Sequence, residues 1–251
     1  MNVLIIGHNG FVGRNFKNYL ETNKINFFEF GSRNSISDLD GYINKISIIF
    51  HFAATNRANN KKKFITNNKN FTKNLLKYLE KKNLKIPMVY TSTIKVFENS
   101  HYGQTKKDCE KLLIKSCKKY KIPLAILRLP NLFGKWTRPN YNSVVATFSY
   151  NISRNIDVNS NNKIIRLYYI DDLVKFFFKK FILNFKSFKN NKKQKIYKKF
   201  SPIKFIKVNE LEKKIKNFES KRNSLFLPNL RSSFDKKLYS TFLTYIPIKK
   251  F

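Results

Sequence analysis

A phenol and an ammonium lie four residues apart in the segment Tyr102-Gly103-Gln104-Thr105-Lys106. Residues with this spacing share one face of a helix, so both groups can point into the same cleft. A neighbouring ammonium favours the phenolate, and we expect it to lower the pKa of Tyr102. The phenol could then exchange a proton with a substrate hydroxyl or carbonyl near neutral pH. Because Tyr and Lys are abundant in this chain, the context of the pair decides its meaning.

Three consecutive hydroxyl residues, Thr91-Ser92-Thr93, precede this pair and end an apolar segment. Parallel sheets bind their ligands beyond the carboxyl ends of the strands. A hydroxyl at that position can donate a hydrogen bond to a substrate oxygen. We therefore expect acid–base chemistry at the end of one strand and the start of the next helix.

A glycine-rich segment, Gly7-His8-Asn9-Gly10-Phe11-Val12-Gly13, follows the first apolar run and contains three of the seven glycines in the chain. Such glycines permit a tight turn, close approach of the backbone to a pyrophosphate, and close packing of helix on strand. The spacing is GxxGxxG, which differs from the GxGxxG of many dehydrogenases. The predicted cofactor contacts in this loop are Gly7, Asn9, Gly10, Phe11, Val12 and Gly13.

The end of the second predicted strand bears on the choice of dinucleotide. It reads Phe30-Gly31-Ser32-Arg33, and Glu29 lies one residue too early to be the obvious ligand of a ribose. A carboxylate at this place favours NAD, whereas a basic group favours the 2′-phosphate of NADP. We expect NADP bound in part by Arg33, with NAD as the alternative. Arg33 as one more solvated cation remains the competing interpretation.

The elements that must position these groups alternate short apolar runs with amphipathic helices, which is typical of a doubly wound parallel sheet. Strands are predicted at residues 3–6, 26–30, 47–52, 88–91, 124–129 and 164–169. Helices are predicted at residues 11–22, 37–44, 64–82, 102–120, 143–153, from 171, 209–220 and 233–243. We expect an α/β, Rossmann-like domain at 1–135 and an interleaved substrate-binding part at 136–251 that forms a small C-terminal lobe. The Lys- and Asn-rich residues 186–199 are predicted to form a mobile surface loop.

Charge and composition say less about the function than the motifs do. The 251 residues include 51 Lys and Arg against 15 Asp and Glu, a formal charge of +36. Codon bias toward A and T explains much of the lysine excess, and we expect the basic residues to be spread rather than gathered on one helix face. Two cysteines are too few for a metal site, and His8, His51 and His101 are expected to be ordinary loop or strand-end residues. No apolar run reaches the roughly 18 residues that a membrane span needs, so we expect a cytoplasmic protein.

The motifs together resemble the extended short-chain dehydrogenase/reductases of the nucleotide-sugar epimerase/dehydratase group. The resemblance rests on the glycine loop, the segment His51-Phe52-Ala53-Ala54, the three hydroxyl residues, and the pair of Tyr102 and Lys106. It implies a catalytic triad of Thr93, Tyr102 and Lys106, in which Tyr102 is the acid/base and Lys106 holds the nicotinamide ribose. It also implies a homodimer through a four-helix contact. Further cofactor contacts are implied at Phe52, Ala53, Ala54, Tyr102 and Lys106.

A closer similarity, to capsular-polysaccharide reductases in UDP-N-acetyl-L-fucosamine synthesis, begins at residues 130–136 and continues through 139–148 and 235–241. Relatives in that branch carry a metal-binding cupin domain after this point, and we expect its activity to be absent here. Arg166 is displaced by one residue from the expected diphosphate ligand, which reverses its face in a strand. The implied substrate contacts are Thr93, Asn131, Gly134, Lys135, Trp136, Asn140, Asn142 and, less directly, Arg166.

Three functions stay open on the sequence. The first is an NADPH-dependent reductase that converts a UDP-2-acetamido-2,6-dideoxy-hexos-4-ulose to its talose-type product for surface polysaccharide. The second is a nucleotide-sugar epimerase that recycles tightly bound NAD. Dehydration is disfavoured because Ile94-Lys95 stands where dehydratases place acidic residues. The third is a basic protein that binds nucleic acid or an anionic surface, but no recognised nucleic-acid-reading motif is present.

Overall fold

A computed structural model describes residues 1–57 and 60–248 of the chain. The strands are β1 (Val3–Ile6), β2 (Phe27–Phe30), β3 (Ile48–His51), β4 (Met88–Thr93), β5 (Leu124–Leu129), β6 (Asn131–Phe133), β7 (Ile164–Tyr169), β8 (Gln194–Tyr197) and β9 (Lys204–Lys207). The α-helices are α1 (Phe11–Thr22), α2 (Lys61–Phe64), α3 (Phe71–Lys81), α4 (His101–Lys119), α5 (Val144–Ile152), α6 (Ile170–Phe177), α7 (Phe185–Asn190), α8 (Val208–Asn223) and α9 (Ser233–Leu243). Helical π segments at Ile65–Asn70 and Phe178–Leu183 continue α2 and α6.

Six strands form a parallel sheet in the order β2-β1-β3-β4-β5-β8. All four residues of β1 and of β3 are fully or almost fully buried, as are the six residues of β4. Strands covered on both faces are expected to be continuous apolar runs rather than alternating ones. The predicted Rossmann-like α/β fold with a parallel sheet is confirmed.

Helices cover both faces of this sheet. On one face, Leu4 and Ile6 of β1 share a buried cluster with Leu75 of α3 and Leu113 of α4. On the other face, the ring of Phe50 in β3 lies 4.5 Å from that of Phe16 in α1. The same Phe50 ring lies 5.8 Å from Phe177 of α6. Ile49, the neighbour of Phe50 in β3, belongs to the first cluster, so alternate residues of one strand pack into two separate layers and the fold is doubly wound.

The mobile loop predicted at 186–199 is wrong. Residues Phe185–Asn190 form α7, and β8 pairs in parallel with β5, with Ile196 opposite Ile126. The ring of Phe181 packs 5.0 Å from Phe188 and 6.0 Å from Tyr197. Backbone hydrogen bonds build the edge strand, so a few apolar side chains suffice to anchor a segment that is otherwise lysine-rich.

A second sheet has the order β6-β7-β9, with β6 and β7 parallel and β7 and β9 antiparallel. Its core contains Phe133 of β6, Leu167 of β7 and apolar side chains from the three helices α5, α8 and α9. Leu211 and Phe242, from α8 and α9, are fully buried in this core. The sheet and its helices therefore have an apolar core of their own.

Contacts divide the chain into two units. The first comprises residues 1–129 and 174–199, and the second comprises residues 130–173 and 200–251. The predicted ranges 1–135 and 136–251 differ from these units at 130–135 and at 174–199, because the latter segment adds β8 to the first sheet. None of the helices in the described residues is both long enough and apolar enough to cross a bilayer. The cytoplasmic location stays a prediction.

Lysines are gathered on one face of α4, which corrects the expectation that they are only spread along the chain. Lys107, Lys111, Lys115 and Lys118 are all exposed. Their spacing of three or four residues places them on one side of the helix. None of these four lysines makes an ion pair with any residue that the structure describes.

Candidate active site

The first turn of α4 places Tyr102 beside the end of β4. The hydroxyl of Ser100 accepts a hydrogen bond from the backbone N–H of Gly103 at 3.1 Å and so caps the helix. A Cβ at Gly103 would collide with the carbonyl oxygen of Lys95, in the turn that follows β4. Gly103 therefore lets the helix begin directly against that turn. Sequence reasoning missed this role, although the glycine lies between the two candidate catalytic residues.

Lys106 is buried beneath the end of β4 and is 1% exposed. Its Nζ donates to the backbone carbonyl oxygen of Thr91 at 2.6 Å and lies 4.0 Å from the centre of the Tyr90 ring. Burial lowers the pKa of Lys106 to about 8, although the charges of Cys109 and Glu110 oppose that shift. Both direct contacts favour the ammonium form and hold it at this strand end.

Tyr102 differs from the expectation for its acidity. Burial, followed by the charge of Cys109, raises the pKa of Tyr102 to about 12, where a decrease was expected. The nearest described aromatic contact is Phe64, whose ring centre lies 6.4 Å away. The expected decrease is wrong because the loss of solvation dominates, while the ammonium of Lys106 is directed at Thr91 and Tyr90. The phenol is therefore protonated at neutral pH.

The three hydroxyls at the end of β4 have different partners. The Thr93 oxygen accepts a hydrogen bond from the backbone N–H of Lys95 at 3.2 Å, which leaves its own proton without an acceptor among residues 1–57 and 60–248. The Thr91 hydroxyl donates over 3.5 Å to the carbonyl of His51. The Ser92 hydroxyl is buried, with no partner in the described chain. Of these groups, Thr93 is the one whose donor capacity suits a substrate oxygen.

His51, the last residue of β3, has a structural role in the core. Its Nε2 lies 3.1 Å from the hydroxyl oxygen of Thr72, and that hydroxyl donates to the carbonyl of Asn68 at 2.8 Å. Since the one hydroxyl proton is engaged, His51 Nε2 acts as the donor. Burial, followed by the charge of Lys106, lowers the pKa of His51 to about 3, so the ring is neutral.

The glycine loop has the features that a pyrophosphate site requires. Gly7 has φ +89°, and a Cβ there would lie 2.6 Å from the backbone nitrogen of Ala53. A Cβ at Gly13 would collide with the carbonyl oxygen of Gly7, so α1 packs directly on the loop. Gly10 is the N-cap of α1 and provides no side-chain acceptor. The first-turn N–H groups, including those of Phe11 and Val12, have no intrahelical partner and suit an anion.

The segment after β3 closes against this loop. The backbone N–H groups of Phe52 and Ala53 donate to the carbonyl of Ile6 at 2.8 and 2.9 Å. The ring of Phe52 stacks 5.3 Å from Phe177, on the α1 side of the sheet. Ala53 is small enough to meet Gly7, and the sequence signal for this contact is the segment His51-Phe52-Ala53-Ala54 itself.

At the end of β2, the acidic side chain is neutralised and the basic one is exposed. Glu29 pairs with Lys17 Nζ at 2.5 Å and lies 3.2 Å from His8 Nε2. Arg33 is exposed and makes no ion pair or hydrogen bond with any residue that the structure describes. The turn after β2 is closed by Asn34, whose side-chain oxygen accepts a hydrogen bond from the N–H of Gly31 at 2.8 Å. Arg33 is therefore free to meet a phosphate, and Glu29 is already occupied.

In the second unit, Gly134 and Trp136 shape the loop after β6. Gly134 has φ +145°, and a Cβ there would collide with Ile170. Trp136 has φ 67°, an uncommon value for a residue with a side chain, and is 40% exposed. Lys135 Nζ lies 5.1 Å from the centre of the Trp136 ring and 3.9 Å from a carboxylate oxygen of Asp171. The loop thus presents an aromatic face and a cation side by side.

The remaining predicted substrate residues lie at several places in this second unit. Asn131 and Asn142 are exposed. Asn140 is held in its turn, because its N–H donates to the Thr147 hydroxyl at 3.0 Å and its amide donates to Asn151 at 3.3 Å. Arg166 is exposed in β7, where its guanidinium lies 5.5 Å from the ring centre of Phe205.

Comparison with known proteins gives the family. The model of the NAD dependent epimerase/dehydratase family matches residues 3–191. The chain belongs to this family. The resemblance drawn from the glycine loop and from the pair of Tyr102 and Lys106 is therefore confirmed. NAD is the cofactor in the description of the family, and the glycine loop and its open helix N-terminus fit a dinucleotide.

Two similar proteins match this chain over its whole length. The UDP-2-acetamido-2,6-beta-L-arabino-hexul-4-ose reductase of Pseudomonas aeruginosa is 36% identical over 254 residues, which cover 100% of this chain and 66% of that protein. The crystal structure of the capsular polysaccharide assembling protein CapF from Staphylococcus aureus has a TM-score of 0.83 at 32% identity, over 100% of this chain and 67% of CapF. This chain thus spans about two-thirds of the length of both relatives.

A more distant solved structure shares the fold. UDP-glucose 4-epimerase from Thermotoga maritima, solved with UDP-glucose, has a TM-score of 0.76 at 18% identity and covers 98% of each chain. Identity this low shows the architecture alone. The family fold therefore extends over nearly the whole of this chain, including its second unit.

Proposed function

We propose that this protein is a reductase of a nucleotide-diphosphate 4-keto-6-deoxy sugar and that it uses NADPH. The observation that carries the proposal is the 36% identity, over the whole chain, to a reductase of a UDP-linked hexul-4-ose. The substrate class is a UDP-2-acetamido-2,6-dideoxy-hexos-4-ulose, reduced to the talose-type product. The similarity to CapF supports a place in surface polysaccharide synthesis.

In this proposal the phenol of Tyr102 is the general acid. Burial raises its pKa to about 12, so the group holds its proton at neutral pH. A reductase must deliver a proton to the carbonyl oxygen, and a protonated phenol is suited to that direction of transfer. When bound, the nicotinamide supplies the hydride for the carbonyl carbon.

Thr93 and Lys106 assist that proton transfer. The Thr93 hydroxyl has a free proton and can donate it in a hydrogen bond to the same substrate oxygen. The Lys106 ammonium is held at the end of β4 by the carbonyl of Thr91 and by the ring of Tyr90. From there its positive charge favours the phenolate that remains after the transfer, and it can bind the nicotinamide ribose.

The preference for NADPH rests on the end of β2. Arg33 is exposed, with no partner in residues 1–57 and 60–248, while Glu29 is engaged by Lys17 and His8. A free guanidinium suits a 2′-phosphate, and an engaged carboxylate is a poor ligand for two ribose hydroxyls. The pyrophosphate would bind at the N-terminus of α1.

The second unit would bind the sugar nucleotide. Lys135 provides a cation and Trp136 an exposed aromatic face, which suit a diphosphate and a planar base. The other residues proposed for substrate binding are Asn131, Gly134, Asn140, Asn142 and Arg166. A homodimer belongs to the same proposal and rests on the family resemblance.

Replacement of Tyr102 by Phe tests the mechanism. General acid catalysis contributes about 10²–10⁴-fold, so turnover of the 4-keto sugar should fall by about that factor. NADPH binding, measured by fluorescence titration, should be nearly unchanged, because Phe keeps the ring and the other proposed cofactor contacts, among them the glycine loop and Lys106, are retained. Wild-type turnover in this variant would refute the assignment of Tyr102.

The choice of substrate and reaction is tested with a panel of UDP- and dTDP-linked 4-keto sugars, each with NADPH or NADH. A reductase consumes reduced cofactor in proportion to product, which is followed as a loss of absorbance. An epimerase recycles its cofactor and shows no net consumption. If the protein converts a sugar nucleotide without consuming NADPH, the proposed reductase reaction is refuted and the epimerase reaction is supported.

A further inference from the structure

The loop between α8 and α9 carries three large apolar side chains on the surface. Leu225, Phe226 and Leu227 are consecutive and are 96%, 67% and 87% exposed. Single exposed apolar residues are common on proteins, but a contiguous group marks an interaction surface. We call residues 225–227 the apolar tip.

The backbone holds the apolar tip outward. The N–H of Leu225 donates to the carbonyl of Arg222 at 3.0 Å, and the N–H of Phe226 donates to that of Lys221 at 2.8 Å. Pro228, on the other side of the tip, is buried. Leu225 has φ 59°, a sterically unfavourable value for leucine. These two hydrogen bonds and this φ form the Schellman motif that ends α8, so helix capping sets the turn that carries the tip.

The chain on both sides of the apolar tip is basic. Residues 220–234 contain Lys221, Arg222 and Arg231 but no Asp or Glu. The Nζ of Lys221 lies 5.6 Å from the centre of the Phe226 ring. The nearest carboxylate along the chain after the tip, Asp235, is paired with Lys214 at 2.8 Å. The tip is therefore apolar, and the chain that flanks it is cationic.

We propose that the apolar tip inserts into the surface of an anionic membrane, where Lys221 and Arg231 contact the lipid headgroups. Apolar side chains that enter the headgroup boundary, together with cations that attract anionic lipid, are the two components of peripheral membrane binding. A second copy of the chain fits the tip less well, because a two-fold contact would bring its cations together. Nucleic acid would satisfy the cations but not three exposed apolar side chains. This surface does not depend on the proposed enzymatic activity.

Co-sedimentation with vesicles tests the proposal. The full chain should bind vesicles made of equal parts of phosphatidylcholine and phosphatidylglycerol and should bind pure phosphatidylcholine much more weakly. The double variant Phe226→Ser, Leu227→Ser should lose at least about tenfold in the partition coefficient, because two apolar side chains no longer leave water. Lys221→Glu combined with Arg231→Glu should weaken binding to the anionic vesicles and reduce its dependence on salt.

Leu183→Ser is the matched control, since Leu183 is 68% exposed but lies in the first unit. It should leave vesicle binding unchanged. Equal binding by the wild type and the tip double variant, or no binding of the wild type to anionic vesicles, would overturn the proposal. So would a dimer, seen by light scattering, that the tip double variant dissociates. Turnover without vesicles should be the same in the wild type and the tip variants, which separates this test from that of the reductase.

Discussion

Replacement of Arg128 by Met should destabilise the first unit strongly. The guanidinium Nε lies 3.0 and 3.2 Å from the two carboxylate oxygens of Glu110, and a terminal nitrogen lies 2.5 Å from one of them. The side chains are only 12% and 3% exposed. Met would leave the buried carboxylate without its partner, at a cost of about 3–5 kcal/mol. For a chain of this size, that cost corresponds to a melting temperature lower by about 6–20 °C.

Thermal and urea unfolding, followed by circular dichroism, measure this loss. Lys119→Met is the control, because Lys119 also pairs with a glutamate, Glu80, but the two side chains are 65% and 47% exposed. An exposed pair contributes only about 0–1 kcal/mol. Combining Arg128→Met with Glu110→Leu should recover much of the lost stability, since neither member of this pair is then left as an unpaired buried charge. A loss for Arg128→Met as small as that of the control would refute this reasoning.

Three further predictions concern the cofactor and the pH profile. Gly7→Ala should weaken NADPH binding at least about tenfold, measured by calorimetry, because the φ of +89° and the 2.6 Å approach to Ala53 exclude a Cβ. Gly41→Ala is the control, since Gly41 has open space around it, and this variant should bind NADPH as the wild type does. Arg33→Gln should raise the Kd for NADPH about tenfold and leave the Kd for NADH unchanged, since a charge-assisted contact to the 2′-phosphate is lost. An equal rise in the Kd of both cofactors would contradict a role for Arg33 in binding the 2′-phosphate. As pH rises through about 8, kcat/KM should fall because Lys106 loses its charge. Tyr102 does not cause this fall, since its pKa of about 12 keeps the phenol protonated over that range. A flat profile between pH 7 and 9 would count against a role for Lys106.

The positions of the elements follow from local patterns. The helix predicted at 11–22, the strand at 124–129 and the helix at 233–243 occur with the same bounds in the structure. Their apolar periodicity and flanking turn residues act over a few neighbours along the chain, so one sequence suffices to place them. The edge strand β8 could not be placed in that way, because its pairing with β5 joins residues about seventy positions apart.

The sequence by itself determined which groups could do chemistry: the glycine loop before the first helix, the hydroxyls of 91–93, and a phenol one turn from an ammonium. The tertiary structure decided how those groups behave. It removed much of the solvent around Tyr102, so that the pKa of the phenol rises, and it turned Lys106 toward Thr91 and Tyr90. Acidity depends on solvation and on charges brought close by folding, whereas residue type and spacing are properties of the chain alone.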